Sequence, residues 1–298
     1  MKNYKLSLII PTLDAEKLIC PLIDSIKDQT VIPDEIIIVD SESEDNTVDL
    51  LSKYPDVKLI QIKRSDFDHG KTRDMALRSS IGEYVVFMTQ DAVPNNKYFI
   101  EKLLSPFFKD DGVALSTGRQ LPKPDASRME QLVRTFNYPS QSRVRSKDDI
   151  PEMGIKTYFA SDVCSAYRRD IYERLGGFDY PIKTNEDMFY AAKVINAGYK
   201  IAYCADAEVL HSHNFTLKEQ YKRNYIQGYE IERHRDILGS ASQESEGMKL
   251  VKYVSKELLK KGRVFSFIHF GFDCCARLLG SKKGRKDYLR GMDHVSNK

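Results

Sequence analysis

The sequence lacks the signals of several protein classes. It has no apolar run of about eighteen residues, so we expect no helix that spans a bilayer. The apolar stretch before Pro11 is too short for a signal peptide. The five cysteines include no Cys-x-x-Cys pair, which disfavours a zinc knuckle or a disulfide framework and favours reduced thiols in the cytosol. A net charge of only +3 gives no field suited to nucleic acid.

Glycine-rich phosphate motifs are also missing. No Gly-x-Gly-x-x-Gly follows the first predicted strand, and no Gly-x-x-x-x-Gly-Lys-Ser/Thr loop occurs, so dinucleotide-binding and P-loop proteins have little support. A sugar-nucleotide pyrophosphorylase would need a glycine-rich loop with Arg and Lys soon after that strand, and this loop is absent. A ligand at this sheet must therefore be held in another way.

Apolar runs alternate with helical repeats in the first part of the chain. Hydrophobic residues make up 41% of the chain and charged residues 30%, which suits a globular protein with a sizeable core. The predicted strands are Lys5–Ile10 (stopped by Pro11), Asp34–Asp40, Val57–Ile62 and Tyr84–Thr89, with helices over 15–29, 45–54 and 71–80. This alternation predicts an α/β, doubly wound, mainly parallel sheet.

The second half of the chain is less regular. Residues 118–154 mix Pro, Ser and basic residues, which predicts a long and partly mobile insertion near the site. A helix is predicted from Asn185 to Gly198, then one or two strands over 200–214. The rest is mostly helical, so we expect a catalytic domain over 1–215 and a helical extension over 216–298.

Acidic and polar residues follow three of the predicted strands. They are Pro11-Thr12-Leu13-Asp14, Asp40-Ser41-Glu42-Ser43 and Gln90-Asp91-Ala92. Ligands of open α/β sheets bind beyond the carboxyl ends of the strands. Carboxylates repel phosphates unless a divalent metal lies between them, so the pattern predicts Mg²⁺ or Mn²⁺ at Asp91 with a diphosphate as its partner.

Four segments in this order resemble the family 2 glycosyltransferases, which are inverting enzymes of the GT-A fold. They are "LSLIIPTLDAEKLICPLIDSIKDQT", "PDEIIIVDSESEDNTVDLL", "GEYVVFMTQDAVP" and "LGGFDYPIKTNEDMFYAAKVINAGYKIAY". "FDHGKTRD" together with "TQDA" is similar to the rhamnosyltransferases of that family, which use dTDP-L-rhamnose. The chain has Asp74 where those usually have Asn, and Ala92 replaces the second acid of the Asp-x-Asp metal motif.

The resemblance implies a donor site. Asp40 would accept a hydrogen bond from the base, with a cap for the following turn as the alternative. Pro11, Thr12 and Asp14 would line the base and ribose, with a helix cap as the alternative for Asp14. Gln90 would contact ribose or sugar. Gly70 would let the backbone approach the ligand, and Lys71 and Arg73 at a helix N-terminus would bind the diphosphate, with His69 as a phosphate or sugar contact or a loop cap.

The resemblance also implies the chemistry. Asp187 would be the general base for the acceptor hydroxyl, with Glu186 in support, whereas the alternative is that both acids only stabilise a helix dipole. Asp91 would bind the metal, joined by His211 and His213 unless these form a structural pair. The implied activity is transfer of a hexose, with L-rhamnose favoured, to a glycan or lipid-linked glycan. The alternatives are a UDP-hexose donor and an inactive protein that only binds nucleotide sugars.

The basic C-terminal segment has an apolar helical face. Val264, Phe267, Ile268, Gly271, Phe272, Cys275 and Leu278 recur at intervals of three and four, with cations on both sides. Residues 260–290 could pack on the domain, form a homodimer, or lie on anionic lipid as a peripheral contact. The last interpretation suits a cytoplasmic enzyme that works at the inner face of the cell membrane on a lipid-linked acceptor.

Overall fold

A nine-stranded sheet organises the chain, of which the computed structural model describes residues 3–239 and 244–291. The strands are β1 Leu6–Thr12, β2 Glu35–Asp40, β3 Val57–Gln61, β4 Tyr84–Met88, β5 Val93–Pro94, β6 Val113–Leu121, β7 Arg143–Arg145, β8 Cys164–Arg168 and β9 Lys200–Leu210. The helices are α1 Ile19–Lys27, α2 Thr47–Leu51, α3 His69–Ser79, α4 Phe99–Leu104, α5 Arg128–Asn137, α6 Ile150–Met153, α7 Arg169–Arg174, α8 Glu186–Asn196, α9 Leu217–Arg233, α10 Arg235–Leu238, α11 Glu244–Lys260 and α12 Val264–Leu289. Short 3₁₀ turns cover Arg64–Asp66, Ser105–Phe108, Lys147–Asp149 and Gly154–Tyr158.

The strand order is β3-β2-β1-β4-β8-β6-β9-β5, with β7 on β9. The first four strands along the chain are parallel, whereas β8 runs antiparallel between β4 and β6. Helices cover both faces: Leu8 and Val86 pack towards α1 and α4, and Ile9 and Val85 pack towards α3 and α8. The predicted doubly wound, mainly parallel architecture is confirmed.

Strand β1 continues through Pro11 to Thr12, so the prediction that Pro11 stops it was wrong. Pairing with β4 ends at Ile9, but pairing with β2 continues to Thr12. A proline lacks the N–H that a paired strand needs, and it is tolerated here because one edge of β1 is already free of its neighbour.

The segment 118–154 is more regular than predicted. It contains the end of β6, then α5, β7 and α6, and the last residues of β6 pair with β9. Three of the four prolines of this segment, Pro122, Pro124 and Pro139, lie in the connections between these elements, and Pro151 lies in the first turn of α6, where a proline is tolerated. The prediction that this part of the chain is less regular was therefore wrong for most of the segment.

The C-terminal helices pack against each other and against α5. A small core joins Leu132 of α5, Val254 of α11 and Phe270 of α12. Helix α12 lies so close to α9 that a Cβ atom at Gly280 or Gly284 would overlap the α9 backbone. None of the described helices is both long enough and apolar enough to cross a membrane.

Candidate active site

The carboxyl ends of β1, β2 and β4 meet at one edge of the sheet, as the sequence predicted. Thr12 Oγ1 donates to Asp40 Oδ1 at 3.4 Å, which links β1 to β2. The Gln90 amide donates to the Leu13 carbonyl at 2.9 Å and accepts from its N–H at 2.8 Å. Both ends of this amide hold the loop after β1, so the structure gives Gln90 a backbone partner in place of the predicted ribose or sugar contact.

Asp40 and Asp14 shape the loops at this edge. The fully buried Asp40 accepts from the Ser43 hydroxyl and, at 3.0 Å, from the Ser43 N–H, which is the turn-capping arrangement. Asp14 has a left-handed backbone (φ +49°) and accepts from the Glu44 N–H at 2.9 Å. Helix α1 begins only at Ile19, with Leu18 at its N-cap, so Asp14 is not its helix cap.

Asp91, His211 and His213 form a compact cluster between β4 and the end of β9. Asp91 Oδ2 lies 3.3 Å from His211 Nε2 and 3.2 Å from His213 Nε2. The two Nε2 atoms are 3.0 Å apart. One ligand atom from each residue lies within 4.8 Å of the other two, so the structure brings the three predicted metal ligands together. Ala92 is fully buried in the core and adds no second carboxylate.

Gln120 and Arg134 determine which nitrogen of His211 carries the proton. Arg134 has only N–H donors, and its Nη1 donates to Gln120 Oε1, so the Gln120 atom facing it must be the oxygen. That oxygen lies 2.9 Å from His211 Nδ1, which must therefore be the protonated nitrogen. In neutral His211 the Nε2 lone pair then faces Asp91.

This electron-rich cluster fits a divalent cation. Burial, opposed by Asp91, lowers the pKa of His211, and burial together with His211 lowers the pKa of His213 to about 4. For Asp91, burial favours the neutral acid, but a proton on His211 Nε2 outweighs burial through its hydrogen bond and charge and lowers the pKa. A cation bound at this point would take the place of that proton. Two neutral imidazoles and an ionised carboxylate are suitable ligands for Mn²⁺, and a cation between them would relieve the repulsion of their lone pairs.

A cluster of acids surrounds Arg73 and lies beside the metal-ligand cluster of Asp91, His211 and His213. The buried guanidinium lies 3.4 Å (Nε) from Asp162 Oδ2 and 3.1 Å (Nη1) from Glu186 Oε1. Its charge is neutralised inside the protein, so the prediction that Arg73 binds the diphosphate was wrong. The reason is that Arg73 occupies a buried position of α3, which faces the sheet and α8.

Asp187 lies at the start of α8 and contacts the same cluster. Its Oδ2 accepts from the Asp162 N–H at 3.1 Å, and the neighbouring Ser161 hydroxyl accepts from Gln120 Nε2 at 2.9 Å. Residues 161 and 162 therefore connect the acid cluster to the metal-ligand cluster. Burial first, then the charges of Glu186 and Asp162, raise the pKa of Asp187 well above its ordinary value. A carboxylate with a raised pKa is a stronger general base.

The segment 69–71 has other roles than those expected. Gly70 is needed because a Cβ there would overlap the Asp179 carbonyl, so its close approach is to protein and not to a ligand. His69 Nδ1 lies 3.2 Å from Arg73 Nη1, so that donor faces the lone pair of the ring. Lys71 is exposed. Of the residues predicted to contact the diphosphate, it is the one whose charge is available to a ligand.

Three residues of the site were missed by sequence reasoning. Gln120 and Arg134 belong to the segment 118–154, which the sequence predicted to be a long and partly mobile insertion. Asp162 lies just before β8, away from the strand ends that supplied the predicted site residues. It is a buried acid that accepts from the Tyr167 hydroxyl at 2.6 Å, and burial raises its pKa to about 6 despite the opposing charge of Arg73.

Comparison with known proteins identifies the family. The model of glycosyl transferase family 2 matches residues 7–176. The O-antigen chain rhamnosyltransferase RfbN of Salmonella typhimurium is 41% identical over 286 residues, which cover 94% of this chain and 90% of the relative. The O-antigen chain rhamnosyltransferase WbaN of Salmonella anatum is 42% identical over 262 residues, 86% of this chain and 81% of the relative.

Solved structures agree on the fold. The mannosyltransferase PcManGT from Pyrobaculum calidifontis, in complex with GDP-Man and Mn²⁺, superposes with a TM-score of 0.64 at 16% identity, covering 96% of this chain and 88% of the other. TarS of S. aureus gives 0.57 at 16% identity, covering 98% and 94%. The family, the GT-A fold and the class of activity that the motifs predicted are confirmed: the chain belongs to glycosyl transferase family 2 and is a glycosyltransferase.

Proposed function

We propose that the chain transfers L-rhamnose, with inversion, from dTDP-β-L-rhamnose to a hydroxyl of a surface polysaccharide precursor. The observation that carries the proposal is that Asp187, a half-buried carboxylate of raised pKa, is connected through residues 161 and 162 and Gln120 to the Asp/His₂ cluster. The sugar and the type of acceptor are supported by the similarity, over nearly the whole chain, to two O-antigen chain rhamnosyltransferases.

Asp91, His211 and His213 would hold the metal, with Mn²⁺ preferred over Mg²⁺ because two of the three ligands are imidazoles. When bound, the ion supplies charge neutralisation to the leaving diphosphate. Gln120 keeps the Nε2 lone pair of His211 available for it. The exposed Lys71 would add positive charge near the diphosphate. Asp40 and the Pro11–Thr12 strand end would hold the base.

Asp187 would accept the proton of the acceptor hydroxyl as its oxygen attacks the anomeric carbon. The new carbon–oxygen bond forms on one face of the sugar while the bond to the diphosphate oxygen breaks on the other, and dTDP leaves with the bonding electrons. The β-linked donor would then give an α-L-rhamnoside. Glu186 is held by Arg73 at 3.1 Å, so its role would be to keep the charge around Asp187 in place.

The acceptor in this proposal is a glycan on a polyprenyl diphosphate, which the enzyme meets at the cytoplasmic face of the membrane. Residues 1–215 would form the catalytic unit, and the helices from residue 216 onwards would serve the encounter with the acceptor. Helix α9 begins at Leu217 with a capping box made by Thr216 and Glu219, which supports a boundary at this point.

The proposal is tested by release of nucleotide from a panel of donors: dTDP-L-rhamnose, UDP-glucose, UDP-galactose and UDP-GlcNAc. We expect turnover of dTDP-L-rhamnose, lost with EDTA and in Asp91→Asn, but kept in the matched control Asp206→Asn on exposed β9 surface. Preference for a UDP-sugar would refute dTDP-L-rhamnose as the donor and leave the proposed mechanism unchanged. Binding of donors with no turnover would favour the inactive alternative.

A further inference from the structure

Helix α12 has an exposed apolar face that no described part of the chain covers. Phe265 is 90% exposed, Phe272 and Leu279 are each 60% exposed, and Ile268 is 50% exposed. Together with Cys275 they recur at intervals of three, four, three and four, so they share one side of the helix. Phe267, which the sequence assigned to this face, packs instead beside the α5–α11–α12 core, and Phe265 replaces it.

The other side of α12 is fully engaged. Gly280 and Gly284 contact the backbone of α9 around Tyr221 and Tyr225, and Phe270 is buried. The helix is therefore fixed to the protein by one side and presents its apolar side outwards as a rigid surface. Packing on the domain, one of the predicted alternatives for this segment, accounts for only one side of the helix.

Cations lie at both ends of this apolar face. Lys261 and Arg263 precede the helix, and Lys282 and Lys286 continue the same spacing after Leu279. All four are exposed, and none has a salt bridge to a carboxylate within the described ranges. In contrast, Arg277, Lys283 and Arg285, away from these positions, each pair with an acid.

This charge pattern distinguishes between possible occupants. Two copies of the chain that met through this face would bring basic ends together in either a parallel or an antiparallel arrangement, which like-charge repulsion disfavours. A surface of opposite charge has no such conflict. Apolar side chains flanked by unpaired lysines and arginines match the boundary between acyl chains and anionic head groups.

We propose that the face formed by Phe265, Ile268, Phe272 and Leu279, with its flanking cations, docks the enzyme on an anionic lipid bilayer. The biological role of this docking rests on the proposed function, because a lipid-linked acceptor would be presented at such a surface. The aromatic and aliphatic side chains enter the head-group boundary, and the cations contact lipid phosphates.

Sedimentation of the full chain with vesicles tests the proposal. We expect binding to phosphatidylcholine vesicles that contain phosphatidylglycerol, and weaker binding to phosphatidylcholine alone. The triple variant Phe265→Ser/Phe272→Ser/Leu279→Ser should lose more than about tenfold in binding. Lys282→Gln/Lys286→Gln should lose about fivefold per lysine, and only at low salt. The control Ile32→Ser/Ile81→Ser removes apolar groups of 55% and 60% exposure elsewhere and should bind normally.

Two results would overturn the proposal: no vesicle binding by the wild type, or equal binding by the triple variant. A dimer in analytical ultracentrifugation that the triple variant dissociates, without vesicle binding, would assign the face to a second copy. Release of dTDP from soluble dTDP-L-rhamnose should be unchanged in the triple variant. Failure of that turnover in the wild type would refute the proposed function separately.

Discussion

Replacing Gln120 by leucine should weaken metal binding without touching a metal ligand. In the wild type, Gln120 Oε1 accepts a hydrogen bond from His211 Nδ1–H at 2.9 Å and keeps the Nε2 lone pair available. In Gln120→Leu the remaining partner of Nδ1 is Arg134 Nη1, 3.4 Å away, which can only donate. The ring would then favour the tautomer protonated on Nε2, which has no lone pair on Nε2 for the metal.

The size of the effect follows from the bonds that change. Forcing His211 back to the ligating tautomer leaves the buried Nδ1–H without an acceptor, a loss of about 1–3 kcal/mol. That corresponds to a decrease in Mn²⁺ affinity of about 5- to 150-fold, which spans the range of about 10- to 100-fold that is usual for partners of metal ligands. Gln120→Glu keeps an acceptor oxygen at the same place and should retain most of the affinity.

Mn²⁺ binding is measured by the electron paramagnetic resonance signal of the free ion, with no donor present. Gln131→Leu is the matched control: Gln131 lies in α5, one turn before Arg134, and bonds to Ala126 and Arg128 without contacting His211. Equal Mn²⁺ affinities in Gln120→Leu and the wild type, with both folded, would refute the reasoning about the tautomer.

Other consequences can be tested with single substitutions. Asp187→Asn should lower transfer by about 10²- to 10⁴-fold while donor binding persists; a comparable loss of binding would indicate a structural role instead. Because the base must be ionised and its pKa is raised, kcat/KM in the wild type should be full above that pKa and fall as the pH drops through it; an acidic limb near 4, the ordinary carboxylate range, would contradict this. Gly284→Ala should destabilise the protein by about 1–3 kcal/mol because its methyl group would overlap the Tyr225 carbonyl. Gly271→Ala, in open space on the same helix, should instead stabilise it by up to about 1 kcal/mol, as thermal unfolding of the two variants would show.

The predictions that succeeded depend on local periodicity and on the geometry of parallel sheets. Continuous apolar runs identified β1, β2 and β4, and parallel pairing then placed Thr12, Asp40 and Asp91 at one edge. The start of α8 was predicted from Asn185 and the acids after it. These features can be derived from sequence because each depends on residues near in the chain or on one simple rule of strand direction.

The predictions that failed depend on partners far apart in sequence. Arg73 resembled a phosphate ligand at a helix start. Its partners, Asp162 and Glu186, follow it in the sequence by about 90 and about 110 residues. Gly70 is required by the Asp179 loop, which no local pattern reveals. Likewise, the hydrogen bond between Gln120 and His211 joins β6 to the end of β9. Only the assembled sheet brings these residues together.

Inversion with Asp187 as the base is tested most directly by following the hydrolysis of dTDP-β-L-rhamnose by proton NMR. Water is the acceptor, and Mg²⁺ is the metal because it avoids paramagnetic broadening. We predict that dTDP and α-L-rhamnose appear together before the free sugar equilibrates, and that Asp187→Asn stops both. Initial release of β-L-rhamnose, or hydrolysis that persists in Asp187→Asn, would contradict inversion by a base at the start of α8.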